Sequence, residues 1–161
     1  MSHVNAILLD QFLANANDRS WYLSFTESVE NLSEDQAYWK PNEDCHTIAE
    51  IVQHLIYWNE TWQIRYQESD VKAVPTIEHN DHSFIVSENK AFAELREQLL
   101  EVLLRWQVLL TEEKVEGDVH GFPVAAKWWE LLGNAITHNA YHIGQIVFIR
   151  KLQKSWDRSS N

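Results

Sequence analysis

Apolar residues recur at intervals of three and four along most of the chain, with polar residues between them. Four glycines and three prolines interrupt this pattern, and they fall mostly between the long periodic stretches. Such spacing brings apolar side chains to one face of an α-helix, whereas a half-buried strand would alternate at every second residue. The pattern therefore predicts an all-α protein built from four long helices.

The first predicted helix covers residues 4–29, and the second begins near residue 47 after a connector at residues 33–41. The second helix opens with a capping box, in which the Thr47 hydroxyl accepts from the Glu50 amide and the Glu50 carboxylate accepts from the Thr47 amide. The apolar positions of the first helix include Leu8, Phe12, Trp21, Tyr22, Phe25 and Val29, and those of the second include Ile48, Ile51, Val52, Leu55, Ile56 and Trp62.

The third and fourth predicted helices lie in the second half of the chain. The third runs from about residue 87 and has the most regular apolar stripe. That stripe consists of Phe92, Leu95, Leu99, Val102, Leu103, Trp106, Leu109 and Leu110. The fourth helix follows Pro123, a residue that suits the first turn of a helix, and continues to about residue 152.

The connector between the second and third helices, residues 69–85, is unusually long and has no clear period of its own. Extended, a connector of this length spans about 50 Å, whereas the second helix is about 30 Å long. The chain can therefore run back along the bundle and begin the third helix parallel to the second. A plain up-down-up-down bundle would need only a short loop here. The length predicts a four-helix bundle with an up-down-down-up order and a long crossover between helices 2 and 3.

Composition narrows the class of protein. A chain of 161 residues with 45% hydrophobic content predicts one domain over residues 1–161. The net charge of −11 disfavours binding to nucleic acid. No apolar run is long enough to span a membrane, and the start lacks a basic signal-peptide segment, so we expect a cytoplasmic protein without membrane contact.

The single cysteine, Cys45, can form neither an internal disulfide nor a thiolate zinc site. The eight tryptophans are expected mainly in the helical core, although pockets and dimer interfaces also suit them.

Three histidines form a candidate metal site. His138 and His142 are four residues apart, so on one helix both imidazoles lie on the same face. A third imidazole, His54, lies at the edge of the apolar stripe of the second helix, as do the other two on the fourth helix. Three nitrogen ligands from two helices would bind one metal ion and leave coordination positions open. Ordinary amphipathic histidines remain the alternative, and Gly144 beside His142 is expected to mark a close approach by a helix or ligand.

Other motifs point to weaker or excluded chemistry. The segment HNDH at residues 79–82 has a chelating spacing but is expected to be a solvated loop. A Glu-x-x-His motif occurs once, at Glu43 and His46, whereas a di-iron carboxylate bundle needs it on two helices. Asn139 follows His138 where a zinc-protease motif has glutamate, so peptide hydrolysis by that route is not expected. Neither a phosphate-binding glycine loop nor a serine-hydrolase elbow occurs in the sequence.

Two segments resemble the DinB/YfiT-like superfamily of bacterial metal-binding four-helix bundles: TIAEIVQHL at residues 47–55 and HNAYHIGQI at residues 138–146. The resemblance implies one divalent metal ion held by His54, His138 and His142, with zinc or nickel favoured and manganese or iron also open. It also implies the up-down-down-up order and a homodimer. Sequence proximity alone suggests Asn139, Tyr141 and Gln145 as residues that orient the imidazoles.

The same resemblance implies an activity. Members with assigned reactions resemble S-transferases or isomerases that use small thiols such as bacillithiol or mycothiol. We therefore expect a metal-dependent S-transferase that joins a bacillithiol-like thiol to an electrophilic small molecule. The alternative is a non-catalytic metal-binding or dimeric interaction module. Haem binding is a third hypothesis, and it is disfavoured because three clustered imidazoles suit a bare ion better than the axial positions of a porphyrin.

Overall fold

In the computed structural model, which describes residues 3–156, the chain is helical and contains no β-strand beyond two isolated bridges. Its α-helices are α1 (His3–Ala16), α2 (Phe25–Ser28), α3 (Glu34–Ala37), α4 (Ile48–Glu68), α5 (Phe92–Leu109), α6 (Glu112–Val115) and α7 (Trp128–Leu152). The long helices α1, α4, α5 and α7 form a four-helix bundle, as predicted. The predicted domain also includes residues 1–2 and 157–161, which lie outside the described residues. Over residues 3–156, no helix is both long and apolar enough to cross a membrane.

Helices α4 and α5 are parallel. Gln98 Nε2 donates to Glu60 Oε1 at 3.4 Å, and Gln63 Nε2 donates to the Val102 carbonyl at 2.7 Å. The residue numbers of the contacting pairs therefore increase in the same direction along both helices. The crossover between them contains two short 3-10 helices, Val71–Ala73 and Asn80–Phe84. It is therefore the long return segment that the sequence predicted.

The remaining pairs of long helices complete the up-down-down-up order. Between α1 and α5, Gln107 Nε2 donates to the Leu9 carbonyl and Trp106 stacks on Phe12. The residue numbers of these pairs increase along α1 and decrease along α5, so the two helices are antiparallel. The contacts between α4 and α7 also run in opposite directions, from His54 near His142 to Tyr66 beside Trp128. This antiparallel pair positions the candidate site.

Helix α4 begins as the sequence predicts. Thr47 is the N-cap, the Glu50 amide donates to Thr47 Oγ1 at 3.1 Å, and the Thr47 amide donates to Glu50 Oε2 at 2.7 Å. The helix ends where Ser69 adopts a left-handed conformation with φ of 59°. Both ends are thus fixed by local hydrogen bonds and backbone geometry.

The predicted first helix, residues 4–29, is wrong in extent. Helix α1 ends at Ala16, where the weak helix formers Asn17 and Asp18 follow, and the chain then turns. Ser24 starts α2 with a capping box of its own. Trp21, which the apolar pattern assigned to the buried side, lies in the turn and is fully exposed.

Helix α5 starts at Phe92, five residues later than predicted. Asn89 has a positive φ of 64°, which interrupts helical geometry just before this point. The Phe92 amide then donates to the Glu34 carboxylate at 3.0 Å, so a side chain from α3 satisfies one of the free amides at the helix start.

Helix α7 starts at Trp128 rather than directly after Pro123, because residues 117–127 form a hairpin-like loop that we call the flap. The Val119 amide donates to the Ala126 carbonyl at 3.0 Å, and the Trp128 amide donates to the Gly117 carbonyl at 3.1 Å. These bonds engage the backbone in a small ladder instead of a helical turn. The flap then leads directly into α7.

The tryptophans are distributed differently from the expectation. Among the described residues only Trp106 and Trp128 are fully buried, and these two belong to the core around α1, α5 and α7. Trp58 and Trp62 instead line a pocket beside the three histidines. Two tryptophans therefore contribute to a pocket wall at the candidate site, which is the alternative to a core position named above.

Candidate metal centre

The structure brings the three predicted histidines together. His54 lies on α4, and His138 and His142 lie one turn apart on α7. The Nε2 atom of His138 is 3.0 Å from Nε2 of His54 and 3.1 Å from Nε2 of His142. His54 and His142 are 2% and 6% exposed, and His138 is half-buried. Three imidazole nitrogens thus face one small space, an arrangement that can hold a metal ion.

A buried amide pair fixes the separation of α4 and α7 near these rings. Asn59 Nδ2 donates to Asn139 Oδ1 at 2.8 Å, and Asn139 Nδ2 donates back to Asn59 Oδ1 at 3.3 Å. Trp106 Nε1 also donates to Asn59 Oδ1, at 3.0 Å. Because buried amides are costly to leave unpaired, this network favours one spacing of the two helices.

Hydrogen bonds to the other ring nitrogens fix the tautomers of two histidines. The Ser83 hydroxyl donates its one proton to the Asn80 carbonyl at 2.5 Å, so it accepts from His54 Nδ1 at 2.6 Å. His142 Nδ1 donates to Gln145 Oε1 at 2.7 Å. In both neutral rings the proton therefore sits on Nδ1, and the Nε2 lone pair points at the shared space.

The number of protons available on the three Nε2 atoms shows that the space between them suits a cation. With Nδ1 protonated on His54 and His142, both Nε2 atoms are acceptors that face Nε2 of His138. One proton on His138 can satisfy only one of them, so at least one buried lone pair has no donor among the three rings. A divalent ion bound at about 2.0 to 2.1 Å would separate its nitrogen ligands by about 3 Å, close to the observed distances. The donor set therefore fits a metal ion.

Burial keeps these imidazoles neutral. Desolvation, together with the neighbouring His142, His138 and His46, lowers the pKa of His54 to about 3. Desolvation, with a contribution from the neighbouring His142, lowers the pKa of His138 to about 4. Burial also lowers the pKa of His142, although the hydrogen bond with Gln145 opposes this effect. Neutral imidazole is the form that binds metal ions, so near neutral pH the three rings are in the protonation state that metal binding requires.

Two contributors to the site were missed from the sequence, and both come from the crossover. Ser83 and Phe84 are buried in the 3-10 helix Asn80–Phe84, where Phe84 stacks on the His54 ring with centroids 3.9 Å apart. The two histidines of the HNDH segment are exposed to solvent, as expected, but residues 80–82 belong to this 3-10 helix rather than to an irregular loop. No local pattern distinguishes Ser83, because its role depends on the crossover folding back onto α4.

The residues suggested by proximity have different roles. Gln145 bonds His142 directly, whereas Asn139 bonds Asn59 rather than a histidine. The Tyr141 ring lies against His142 at 5.0 Å and is largely exposed. The expectation that a helix closely approaches Gly144 is wrong, because this glycine is exposed and an added Cβ would have no atom within 4 Å. No close approach by a helix explains this glycine.

A pocket of about 790 Å³ opens beside the three histidines. It lies between α4 and α7 and is covered in part by the flap and by the 3-10 helix Asn80–Phe84. Its walls are mainly aromatic and aliphatic, and they include Trp58, Trp62, Phe84, Phe122, Val124, Leu131, Ala135 and Tyr141. Over the described residues 3–156, Glu130 is the only charged side chain in the lining, and no lysine or arginine contributes to it. The arrangement combines a metal-binding group with a ligand-sized apolar space.

Solved structures with the same fold come from Bacillus subtilis. The DinB-like protein YjoA is 19% identical, with a TM-score of 0.67 over 91% of this chain and 92% of that one. YfiT, described as a probable metal-dependent hydrolase with an unusual four-helix bundle topology, is 16% identical, with a TM-score of 0.67 over 98% of this chain and 91% of that one. At these identities the likeness concerns the fold. No curated protein matches the chain.

The family model of the DinB superfamily matches residues 18–146. That match covers most of the chain and includes the helical segments that carry all three converging histidines. Together with the four-helix bundle, it shows that the chain belongs to the DinB superfamily.

Proposed function

We propose that this protein is a metal-dependent enzyme acting on small molecules, and that it joins a low-molecular-weight thiol to an electrophile. His54, His138 and His142 would hold one divalent ion, with zinc or nickel favoured and manganese or iron also compatible with imidazole ligands. The observation that carries the proposal is the convergence of three neutral Nε2 atoms beside a large apolar pocket.

The residues of the chain would bind and orient the reactants. When bound, a divalent cation stabilises the anionic form of a coordinated thiol or water, which makes either one a nucleophile at neutral pH. Ser83 and Gln145 keep the lone pairs of His54 and His142 directed at the ion, and the aromatic walls exclude water from the electrophile. No protein nucleophile is required, and no cysteine, serine or lysine among residues 3–156 lines the pocket.

Hydrolysis is the second candidate function, because the related fold of YfiT is described as a probable metal-dependent hydrolase. Activation of water is commonly assisted by a carboxylate base. Within the part of the chain that the structure describes, Glu130 is the only carboxylate in the pocket lining, and its Oε2 accepts from the Lys127 amide at 2.7 Å. It also lies two turns of α7 before His138, about 12 Å along the helix axis. Thiol transfer needs no such base, so we place it first.

A non-catalytic module is the alternative from another class. Tyr141 and Phe148 are seven residues apart on α7, and both are exposed on one face of that helix. Exposed aromatics of this kind support the proposal of a homodimer. Sedimentation of the wild type beside a Phe148→Glu variant tests the association: a dimer that the variant converts to a monomer supports it, and a monomeric wild type refutes it.

The catalytic proposal is tested with the metal-loaded and the chelator-treated protein. Elemental analysis of the purified protein first identifies the ion. Consumption of 1-chloro-2,4-dinitrobenzene is then followed with and without added thiol, and hydrolysis of a nitrophenyl ester is followed in parallel. We expect thiol-dependent turnover that chelation abolishes. Ester hydrolysis alone would favour the second candidate, and no metal-dependent turnover of either substrate would favour the non-catalytic module.

A further inference from the structure

The pocket beside the histidines is elongated, with the candidate metal centre at one end. Its lining on α4 extends from His54 to Trp62, and its lining on α7 extends from Glu130 to His142. At 1.5 Å per residue these stretches are about 12 Å and about 18 Å long. Because the two helices are antiparallel, Leu131 lies toward the Trp62 end, away from the histidines. We call this distal part, lined by Trp58, Trp62, Leu131, Ala135 and the flap tip, the trough.

Among residues 3–156, no lysine or arginine lines the trough. Its walls are aromatic or aliphatic apart from the side-chain amide of Asn134, and the charged group in the lining is the carboxylate of Glu130. The whole chain also carries a net charge of −11. A carboxylate or phosphate placed in the trough would lose its hydration without gaining a cationic partner, and it would face a negative potential. The charge distribution therefore selects against anionic ligand tails.

The flap tip places apolar side chains over the trough. Phe122 and Val124 line the pocket, yet Val124 is 65% exposed. The tip is attached to the crossover, because the Val71 amide donates to the His120 carbonyl at 3.1 Å. An apolar ligand below these two side chains would bury surface that is now in contact with water, which favours binding in proportion to the area covered.

From this arrangement we propose that the electrophile is an elongated, uncharged, apolar molecule, with its reactive carbon at the three histidines and its tail along the trough. The proposal rests on the proposed thiol transfer. The sulfur forms a bond to the electrophilic carbon while the bond from that carbon to its leaving group breaks. The leaving group departs with the bonding electron pair, and the thiol proton passes to water. Charged groups of the thiol then lie at the solvent-exposed mouth of the pocket, outside the trough.

The probes for this proposal are straight-chain hydroxamic acids, whose head group binds metal ions while the alkyl tail varies in length. Binding to the metal-loaded protein is measured by isothermal titration calorimetry, from acetohydroxamate to decanohydroxamate. We expect the dissociation constant to fall by about fourfold for each added methylene until the trough is filled, which corresponds to about 0.8 kcal/mol per group. A probe with a terminal carboxylate should bind at least about tenfold more weakly than its neutral analogue of equal length.

Two variants locate the effect. Val124→Glu adds a charge at the flap tip and should flatten the dependence on chain length. Val108→Glu makes the same change at a position on α5 that is 81% exposed and outside the pocket lining, and it should leave that dependence intact. Equal affinity along the series, equal binding of the carboxylated probe, or equal effects of the two variants would overturn the proposal.

A second series separates this proposal from the metal assignment. Straight-chain primary amides have the same tails but a weak metal-binding head group. If acetohydroxamate binds equally with and without metal while the amides keep their dependence on chain length, the metal centre is refuted and the trough stands. If acetohydroxamate binding requires metal while neither series depends on chain length, the trough is refuted and the metal centre stands.

Discussion

The two ends of the pocket are built in different ways. At the histidine end, the side chains project from α4 and α7, and two of the three rings are held by hydrogen bonds to Ser83 and Gln145. At the trough end, part of the wall is the flap, whose tip carries exposed apolar side chains and is attached mainly through backbone hydrogen bonds. One end has polar side chains held in fixed directions, and the other has exposed apolar side chains on a loop.

This difference separates two tasks. Metal binding requires ligand atoms to be placed within a few tenths of an ångström, which buried rings on regular helices can achieve. Selection of an apolar tail depends on buried area rather than on fixed directions, so a loop can provide it and can vary without disturbing the metal ligands. Changes at the histidine end should therefore alter metal binding, and changes at the flap should alter tail binding alone.

The largest expected effect is at the histidine end. Substituting His54→Ala removes one of three ligands, and we expect metal affinity to fall by at least about 100-fold, since loss of an outer hydrogen-bond partner alone reduces affinity by about 10- to 100-fold. Inductively coupled plasma analysis measures the bound metal, and circular dichroism should show nearly unchanged helicity. His82→Ala, at an exposed position in the crossover, is the matched control. Undiminished metal content in the His54 variant would refute the ligand assignment.

Acid should destabilise the metal-free protein through the same rings. Burial lowers the pKa of His54 to about 3 and that of His138 to about 4, whereas the unfolded chain has ordinary histidine values near 6.5. Below pH 6.5 the unfolded state therefore binds protons that the folded state excludes. The free energy of unfolding falls by up to about 1.4 kcal/mol per pH unit for each ring, until the pH reaches the folded pKa.

Urea denaturation of the metal-free protein between pH 7.5 and pH 4.5 measures this effect. The variant His54→Gln lacks one of the titrating rings, so its unfolding free energy should decrease less steeply over the same range. Identical slopes for the variant and the wild type would show that His54 is not excluded from protonation in the folded state. Above pH 6.5 these rings add no pH dependence, which provides the internal baseline.

A smaller effect is expected where the crossover supports the metal centre. Ser83→Ala removes the acceptor for His54 Nδ1 and frees that ring to change tautomer. We expect metal affinity to fall by about 10- to 100-fold with little change in maximal binding stoichiometry. Ser87→Ala, four residues further along the chain and exposed, is the control. Equal affinities of the two variants, measured by competition with a chelator, would remove Ser83 from the site.

How far the sequence predicts this molecule depends on the range of the interactions involved. Helix α4 was predicted well because its capping box and apolar stripe are local features of the chain. The spacing of His138 and His142 likewise follows from helical geometry, and the crossover length indicated the parallel arrangement of α4 and α5. These features require no knowledge of distant contacts.

The missed features depend on tertiary contacts or on competition between local structures. The first helix was predicted too long, because its apolar period continues past Ala16 while polar residues and a new cap at Ser24 stop the helix. The fourth helix was predicted to begin directly after Pro123, although residues 124–127 belong to the flap, whose backbone pairs with itself. Ser83 gains its role only when the crossover packs on α4, and no spacing in the sequence reports that contact.

The smallest expected effect tests the flap end by itself. Gly121 has a φ of 75°, and an added Cβ would lie 2.6 Å from Asp70 Oδ1, so Gly121→Ala should strain the flap by about 1 to 3 kcal/mol. The dependence of hydroxamate binding on chain length should weaken, while metal content stays unchanged. Gly144→Ala is the matched control: it lies in α7 with open space around its Cβ position, so it should stabilise the helix by about 1 kcal/mol. Loss of metal from the Gly121 variant would show that the two ends of the pocket are coupled, which would contradict the separation of tasks inferred from their construction.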